Sequence, residues 1–366
     1  MWHFHNPVDL HAGVGSLAQL PQLLAGRPAL LITFPEAAAL GLQQKVADLL
    51  GPQLVGIDNS VLPNPDVSWL TGMHQRLWQR HAQVPCLIAL GGGSVIDCAK
   101  AMLAPTPSGR FDELLAHLRE DTPFEPDPAH LKSLIAIPTT AGTGSEVTPW
   151  ATLWDAQGGR KYSLHRPWTW PQAAIIDASL MLSLPAPATL ASGLDALSHA
   201  LEAIWNVHRN PVSSTLASSA ARAIVATLPA LIREPEDLAL REQMALAALQ
   251  AGLAFSIPGL RWRTPCPMTS RCSAVSRTAS PVRSRCRTSC AWRWGATEPS
   301  IPCCCRSSMP PVPSRPSRAW PACSNRWAYP PTRPTMACKT AGKRPCRQRC
   351  AGRADATSSP QSIDFC

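Results

Sequence analysis

Residues 86–100 read CLIALGGGSVIDCAK, an apolar run that ends on three glycines and a serine and then continues into helix-forming residues. Such an uninterrupted apolar run is typical of a buried parallel strand and predicts a strand over Cys86–Leu90. Glycines let a backbone approach a phosphate closely, and the N–H groups that begin the following helix favour negative charge. Residues 91–94, called the glycine turn below, therefore predict a phosphate site or, alternatively, only a tight connection. Their spacing is not the GxGxxG fingerprint of an ordinary Rossmann domain.

The segments on both sides of this stretch show two different patterns. Before it, strands alternate with helices, with strands predicted over 29–33 and 54–57 and helices over 37–50 and 67–79. After Pro185 three long, alanine-rich helices are predicted without a strand between them, over 189–207, 212–232 and 238–253. The first pattern favours an α/β domain with a mostly parallel sheet, and the second an all-helical domain. We place the α/β domain at residues 1–180 and the partial helical domain at 181–256.

Two further motifs carry possible chemistry. The sequence TTAGTGSE at residues 139–146, called the threonine loop below, offers hydroxyls for a ribose or a nicotinamide amide, although such loops are also ordinary. The sequence GLDALSHALE at 193–202 places Asp195 and His199 four residues apart on one helix face. A carboxylate with an imidazole suits Fe, Zn, Mn or Ni, while two ligands alone leave a simple surface pair as the alternative.

In this order and at these separations, the three motifs resemble the iron-containing (group III) alcohol dehydrogenases, whose patterns are GGGSxxDxAK, PTTxGTGSE and GxDAxxHxxE. Asn64-Pro65 and Ile176-Asp177 extend the resemblance, which covers residues 1–256. It implies an α/β nucleotide-binding domain, an all-helical domain, NAD(P)H, and Fe2+ or Zn2+ in the cleft between the domains. The pyrophosphate contacts would come from Gly92, Gly93 and Ser94. The remaining dinucleotide site would be lined by Asp97, Thr139, Thr140, Thr143 and Lys161. Asp195 and His199 would be two of four metal ligands.

A looser resemblance points to the phosphonoacetaldehyde reductase branch. It rests on HNP at residues 5–7, TPWAT at 148–152 and KYSLHRPWTW at 161–170. It implies a small anionic aldehyde as substrate, met by Lys161, His165 and Arg166, whereas the alternative is a solvated basic loop. Many family members have an acidic residue at the adenosine ribose, where this chain has Phe34, so NADPH is not excluded.

The C-terminal tail, residues 257–366, differs in composition from residues 1–256. The first 256 residues carry 15 Lys and Arg with 21 Asp and Glu, whereas the tail carries 19 and 3. The tail also holds 12 of the 14 cysteines and none of the ten histidines, although the family's other two metal ligands are histidines expected soon after Ser256.

One added base in a permitted back-translation changes residues 257–266 to NTRTALAHAL, and the same frame soon gives a second histidine. We therefore predict an irregular, out-of-frame tail. The alternatives, a zinc or disulfide framework and a nucleic-acid arm, lack recurring C-x2-C pairs and an accompanying motif.

The sequence thus predicts a metal-dependent, NAD(P)-linked alcohol dehydrogenase or aldehyde reductase, inactive with this tail because half of the metal site is out of frame. The alternatives are an enzyme like glycerol dehydrogenase or dehydroquinate synthase, and a non-catalytic dinucleotide-binding protein with a basic tail. The first 256 residues have two cysteines, no signal-peptide pattern and no run of 18 apolar residues. We therefore expect a cytoplasmic protein without membrane or nucleic-acid partners. The family resemblance also implies that the protein forms a homodimer.

Overall fold

The strand that begins at Cys86 lies in a six-stranded parallel sheet in the computed structural model, which describes residues 1–256. The sheet strands are β1 (Asp9–Ala12), β2 (Ala29–Thr33), β3 (Leu54–Asp58), β4 (Cys86–Gly91), β5 (Ser133–Pro138) and β8 (Ala173–Ile176), in the order β1-β8-β5-β4-β2-β3. An antiparallel hairpin is formed by β6 (Trp150–Asp155) and β7 (Arg160–His165). The predicted parallel α/β sheet is therefore confirmed, and the hairpin was not predicted.

Eight α-helices accompany these strands in the described part of the chain. They are α1 (Leu20–Leu24), α2 (Leu42–Leu50), α3 (Val67–His81), α4 (Gly93–Ala101), α5 (Phe111–Glu120), α6 (Ala186–Trp205), α7 (Pro211–Arg233) and α8 (Leu238–Phe255). The helix predicted from residue 37 begins only at Leu42, because Gly41 takes a left-handed backbone with φ of 69°. The three helices predicted after Pro185 are confirmed.

Apolar side chains cover both faces of the sheet, and alternate residues of each strand serve alternate faces. Leu30 and Leu87 pack with the apolar side chains of α3, α4 and α5. Leu31 and Ile88 pack on the opposite face with α1 and α2. Because the central strands are buried on both faces, their sequences are continuous apolar runs rather than alternating ones.

The helices α6, α7 and α8 pack together through small side chains, which let helices approach closely. Their shared core includes Ala196, Ala200, Ala203, Ala217, Ala220, Ala248, Ala251 and Ala254. Arg241 of α8 is buried and donates hydrogen bonds to the carbonyls of Pro235 and Leu184 and to the hydroxyl of Thr189. These bonds fix the start of α6 against α8.

Helix α7 is the one helix of the described residues that is long and apolar enough to be compared with a membrane span. It has no uninterrupted apolar run of 18 residues, yet its 23 residues have the length and the average composition of a helix that could cross a membrane. Its Ala, Val, Leu and Ile residues keep the average high, whereas Ser, Thr and Arg interrupt the apolar run. One such helix is weak evidence for a membrane, because core helices of globular proteins have the same composition. Here α7 packs against α6 and α8.

The predicted irregular tail lies outside the described residues. The division into domains at residues 1–180 and 181–256 stays a prediction.

Candidate dinucleotide and metal site

The glycine turn lies where the order of strands in the sheet changes direction. Strand β4 is paired with β2, in register Thr33 to Leu90. The helix that follows β2 packs on one face of the sheet and the helix that follows β4 packs on the other. Neighbouring parallel strands whose connections leave on opposite faces open a crevice at their carboxyl ends, which is the usual ligand position in such sheets. The glycine turn is at this crevice.

Close packing explains the glycines. Gly92 precedes α4 with extended backbone, so its φ of −77° does not by itself require glycine. A Cβ on Gly92 would lie 3.2 Å from Thr140 Cγ2, and one on Gly93 would lie 2.6 Å from Thr143 Cγ2. The threonine loop therefore packs directly on the first turn of α4, with Thr140 and Thr143 beside the N–H groups suited to a phosphate.

The opposite side of the threonine loop packs on the helices. A Cβ on Gly142 would lie 2.8 Å from Ser192 Cβ of α6. A Cβ on Gly144, where φ is +64°, would lie 2.6 Å from the Cα of Gly252 in α8. The threonine loop thus contacts the glycine turn and both helices, and it brings the α/β part and the helices together.

Asp195 and His199 lie on the face of α6 that meets this loop. Ser192, Asp195 and His199 follow one another at spacings of three and four residues, so they share a helix face. The Asp195 Oδ1 and His199 Nε2 atoms are 4.0 Å apart, and the side chains are 41% and 16% exposed, respectively. The His199 ring stacks on Phe255 with centroids 4.6 Å apart. The Nδ1 atom of His199 is buried and has no hydrogen-bond partner among the described residues. The stacking on Phe255 is therefore the contact that orients the imidazole.

This pair fits half of a divalent metal site. Metal bonds to imidazole and carboxylate are about 2.1 Å long, so a single ion still reaches two donors 4.0 Å apart. Glu202 is one turn further on, and burial raises the pKa of its carboxyl. Within residues 1–256, no three His, Cys, Asp or Glu side chains come close enough to hold one ion. The two predicted ligands are therefore brought together, and the described residues supply no third.

Asp97 is partly buried and accepts hydrogen bonds from the threonine loop and from the hairpin. Its Oδ1 accepts a hydrogen bond of 2.6 Å from the Ser145 hydroxyl, and its Oδ2 accepts one of 2.9 Å from the Thr152 N–H. Lys100, one turn later, is fully buried in the same cluster with Glu146. Burial raises the pKa of Asp97, lowers that of Lys100 to about 8 and raises that of Glu146 to about 7. The predicted cofactor contact of Asp97 stays a prediction, and its observed partners belong to the protein.

Lys161 lies on β7 of the hairpin. Its Nζ is 3.9 Å from the ring centroid of Trp154. The Trp154 N–H donates to the carbonyl of Pro65, and the Asn64 N–H donates to the hydroxyl of Ser94. This short series of contacts links Lys161 to the first turn of α4. Thr139 is buried and donates its N–H to the carbonyl of Gly91.

His165 and Arg166 lie at the other end of the hairpin. The strand β6 runs along α4 from Trp150, whose carbonyl binds Lys100, to Trp154 near Ser94. His165 stacks on Trp150, and Arg166 donates to the carbonyls of His165 and Thr122. Both line a cavity of about 590 Å³ with the segment 121–131. Their described contacts therefore do not bring them beside the glycine turn.

The hairpin and the stacking Phe255 were missed by the sequence reasoning. Their only signals were the alternating residues of β6 and an aromatic residue at the end of a predicted helix. Neither signal indicated a site.

Fold and site together describe a parallel α/β protein whose glycine turn has the geometry suited to a phosphate, joined to a helical part where Asp195 and His199 lie close enough to contact one ion. A family model described as iron-containing alcohol dehydrogenase matches residues 7–178. A second model, described as Fe-containing alcohol dehydrogenase family, C-terminal, matches residues 189–262. The chain is 34% identical over 267 residues to the NAD-dependent methanol dehydrogenase of Bacillus methanolicus, covering 71% of this chain and 68% of that one. The chain belongs to the iron-containing alcohol dehydrogenase family.

Two further comparisons agree. The probable alcohol dehydrogenase EutG of Escherichia coli is 43% identical over 176 residues, 48% of this chain and 42% of that protein. The crystal structure of a sulfoacetaldehyde reductase from Bifidobacterium kashiwanohense in complex with NAD+ matches with a TM-score of 0.64 and 28% identity, over 70% of this chain and 68% of that one. The chain thus spans less than half of EutG and about two thirds of the other two proteins.

Proposed function

We propose that this gene encodes a metal-dependent, NAD(P)H-linked aldehyde reductase or alcohol dehydrogenase. We also propose that the chain with its present tail binds the dinucleotide without turning over substrate. One observation carries the proposal: the threonine loop contacts the glycine turn through Thr143 and the metal-ligand helix through Ser192. A dinucleotide whose phosphates lie on the glycine turn would extend along this loop toward Asp195 and His199. The family membership and the NAD+ complex of the similar reductase support the cofactor.

The roles of the residues follow from their positions. The first N–H groups of α4, at Gly93 and Ser94, would bind the pyrophosphate, with Lys161 adding positive charge. The hydroxyls of Thr140 and Thr143 would orient the nicotinamide half. The ion, when bound by Asp195 and His199 with two further ligands, would polarise the substrate oxygen as a Lewis acid. In the proposed complex, Thr140 and Thr143 would hold the nicotinamide ring on the side of the threonine loop that leads to Asp195 and His199.

The missing ligands are proposed to be two histidines encoded out of frame. The C-terminal family model ends at residue 262, six residues after the described part of the chain, which supports a frame change near residue 257. Losing two of four ligands removes most metal affinity, because each open site requires about three protein ligands. The cytoplasmic location and the homodimer stay predictions.

For the substrate we propose a small aldehyde with an anionic group, such as phosphonoacetaldehyde. The similarity to a sulfoacetaldehyde reductase supports this class, since both aldehydes carry an oxyanion group on a two-carbon chain. A role for His165 and Arg166 in binding that group requires the substrate to reach their cavity. In the frame-restored protein, replacing Arg166 by methionine should then raise KM for phosphonoacetaldehyde without raising KM for propanal. An equal change for both aldehydes would remove Arg166 from the substrate site.

The decisive experiment compares the chain as given with the product of the gene after one base is added before codon 257. NADH binding is measured by fluorescence, and NADH oxidation by absorbance, with phosphonoacetaldehyde or propanal and Fe2+ or Zn2+. Both chains should bind NADH, and only the frame-restored chain should oxidise it. The His199→Ala variant of the restored chain is the matched control and should lose turnover while keeping NADH binding. Metal-dependent turnover by the chain as given would refute the proposal, and resequencing codons 250–262 shows which frame the gene has.

A further inference from the structure

The Lys100 side chain is fully buried, and all three of its ammonium protons have acceptors within the protein. Its Nζ donates to the Ser145 carbonyl at 2.6 Å, the Ser145 hydroxyl at 2.8 Å and the Trp150 carbonyl at 2.7 Å. Ser145 belongs to the threonine loop and Trp150 begins β6. One side chain of α4 thus holds the end of the threonine loop and the start of the hairpin.

The segments that accept hydrogen bonds from Lys100 are also bound to Asp97, another residue of α4. The Ser145 hydroxyl donates to Asp97, whose other oxygen accepts the Thr152 N–H. The Ser145 N–H donates at 3.3 Å to the hydroxyl of Thr143, which contacts Gly93. The network therefore runs from the interior of α4 through Ser145 to the part of the threonine loop that faces the glycine turn.

A second buried lysine offers a comparison. Lys132 is 4% exposed and also donates three hydrogen bonds to carbonyls, those of His81, Ala82 and Val84. Burial lowers its pKa to about 8, as it does for Lys100. Lys132, however, immediately precedes β5, at the amino end of the parallel strands, and its acceptors end α3. It therefore lies at the edge of the sheet opposite the glycine turn.

We propose that Lys100 is a positioning residue that holds the threonine loop against the first turn of α4 and so sets the nicotinamide half of the dinucleotide site. The proposal rests on the proposed function, because it assumes that the dinucleotide lies on both the glycine turn and the threonine loop. Because Lys100 is fully buried, it would not itself contact the dinucleotide. Its removal loosens the loop while leaving the N–H groups of the glycine turn in place, so the two halves of the cofactor should respond differently.

The test compares the full-length chain with its Lys100→Met and Lys132→Met variants. The affinity for NADH and for ADP, which reaches only the phosphate half, is measured by fluorescence and calorimetric titration. Lys100→Met should weaken NADH binding about tenfold, the effect of losing one or two hydrogen bonds to the nicotinamide half, and should change ADP binding by less than about twofold. Lys132→Met removes as many hydrogen bonds and should leave the ratio of the two affinities unchanged. Where Lys100→Met does not fold, Ser145→Ala carries the test and should show the same selective loss.

The outcomes separate the two proposals. A wild-type chain that binds ADP and NADH, with a ratio that neither Lys100→Met nor Ser145→Ala changes, overturns the positioning role alone. A wild-type chain that binds neither ligand overturns the proposed function, and the positioning role with it. A ratio that shifts equally in Lys132→Met also overturns the proposal, since a general loss of buried lysine contacts then explains the effect.

Discussion

Replacing Gly144 by alanine should destabilise the protein by about 2–4 kcal/mol, more than the same change at an exposed left-handed glycine. The backbone at Gly144 has φ of +64°, which costs an L residue about 1 kcal/mol. The added Cβ would also lie 2.6 Å from the Cα of Gly252, about 0.8 Å closer than the 3.4 Å of ordinary contact. The position of the Cβ is fixed by the backbone of residue 144, and the Gly252 Cα is itself a backbone atom, so neither can rotate away. The threonine loop and α8 must therefore separate, and such overpacking costs about 1–3 kcal/mol.

The assay is urea unfolding followed by circular dichroism, with Gly159→Ala as the matched control. Gly159 has φ of +61° and nothing within 4 Å of an added Cβ, so it should show only the backbone cost of about 1 kcal/mol. Gly252→Ala has no left-handed cost, and its Cβ would lie 2.8 Å from Val147 Cγ2 and 2.9 Å from the Cα of Gly144. It should show the packing cost reduced by about 1 kcal/mol, because alanine is more favourable than glycine inside a helix. Equal destabilisation by Gly144→Ala and Gly159→Ala would refute the close approach of the loop and α8.

Three further predictions concern the cofactor and the core. Gly93→Ala should weaken NADH binding at least about tenfold without changing the circular dichroism spectrum, because its Cβ would lie 2.6 Å from Thr143 at the phosphate position; unchanged affinity would exclude this turn as the phosphate site. Burial lowers the pKa of His74, whose Nε2 is 3.0 Å from the Ala104 carbonyl, so below about pH 6.5 the unfolded chain binds more protons than the folded one. The free energy of unfolding should then fall by up to about 1.4 kcal/mol for each unit by which the pH is lowered. His74→Gln should flatten this dependence between pH 7.5 and 5.5, and an equal slope in both proteins would contradict it. Phe34→Asp should weaken NADPH binding about tenfold relative to NADH, since a carboxylate beside the adenosine ribose repels a 2′-phosphate; an equal loss for both would place Phe34 away from the ribose.

Much of the fold could be predicted because its signals are local. The strand at residue 86 and the helices after Pro185 follow from apolar runs and spacings within single segments. The sharing of one helix face by Asp195 and His199 follows from helical geometry alone. The same reasoning placed the start of α2 too early, since a left-handed Gly41 interrupts an otherwise helical pattern.

The candidate site could be predicted only in part because its residues meet across long stretches of chain. The motif that contains Lys100 was recognised, yet nothing local indicates that its ammonium group binds the carbonyl of Trp150. Arg166 was expected at an anionic substrate, but the packing of the hairpin directs its guanidinium to the carbonyl of Thr122. Such contacts depend on how elements pack, and packing is not encoded in the pattern of a single segment.

The sequence by itself determined the strands β2, β3 and β4, the three helices after Pro185, the three motifs and the change of composition at residue 257, because each depends on neighbouring residues and their chemistry. Only the tertiary structure decided that the threonine loop lies between the glycine turn and α6, and that His199 is oriented by Phe255. The physical reason is that a glycine permits another segment to approach its backbone closely, while the packing of the whole chain determines which segment does so. At Gly142 and Gly144 the missing side chains leave space that Ser192 and Gly252 come to fill.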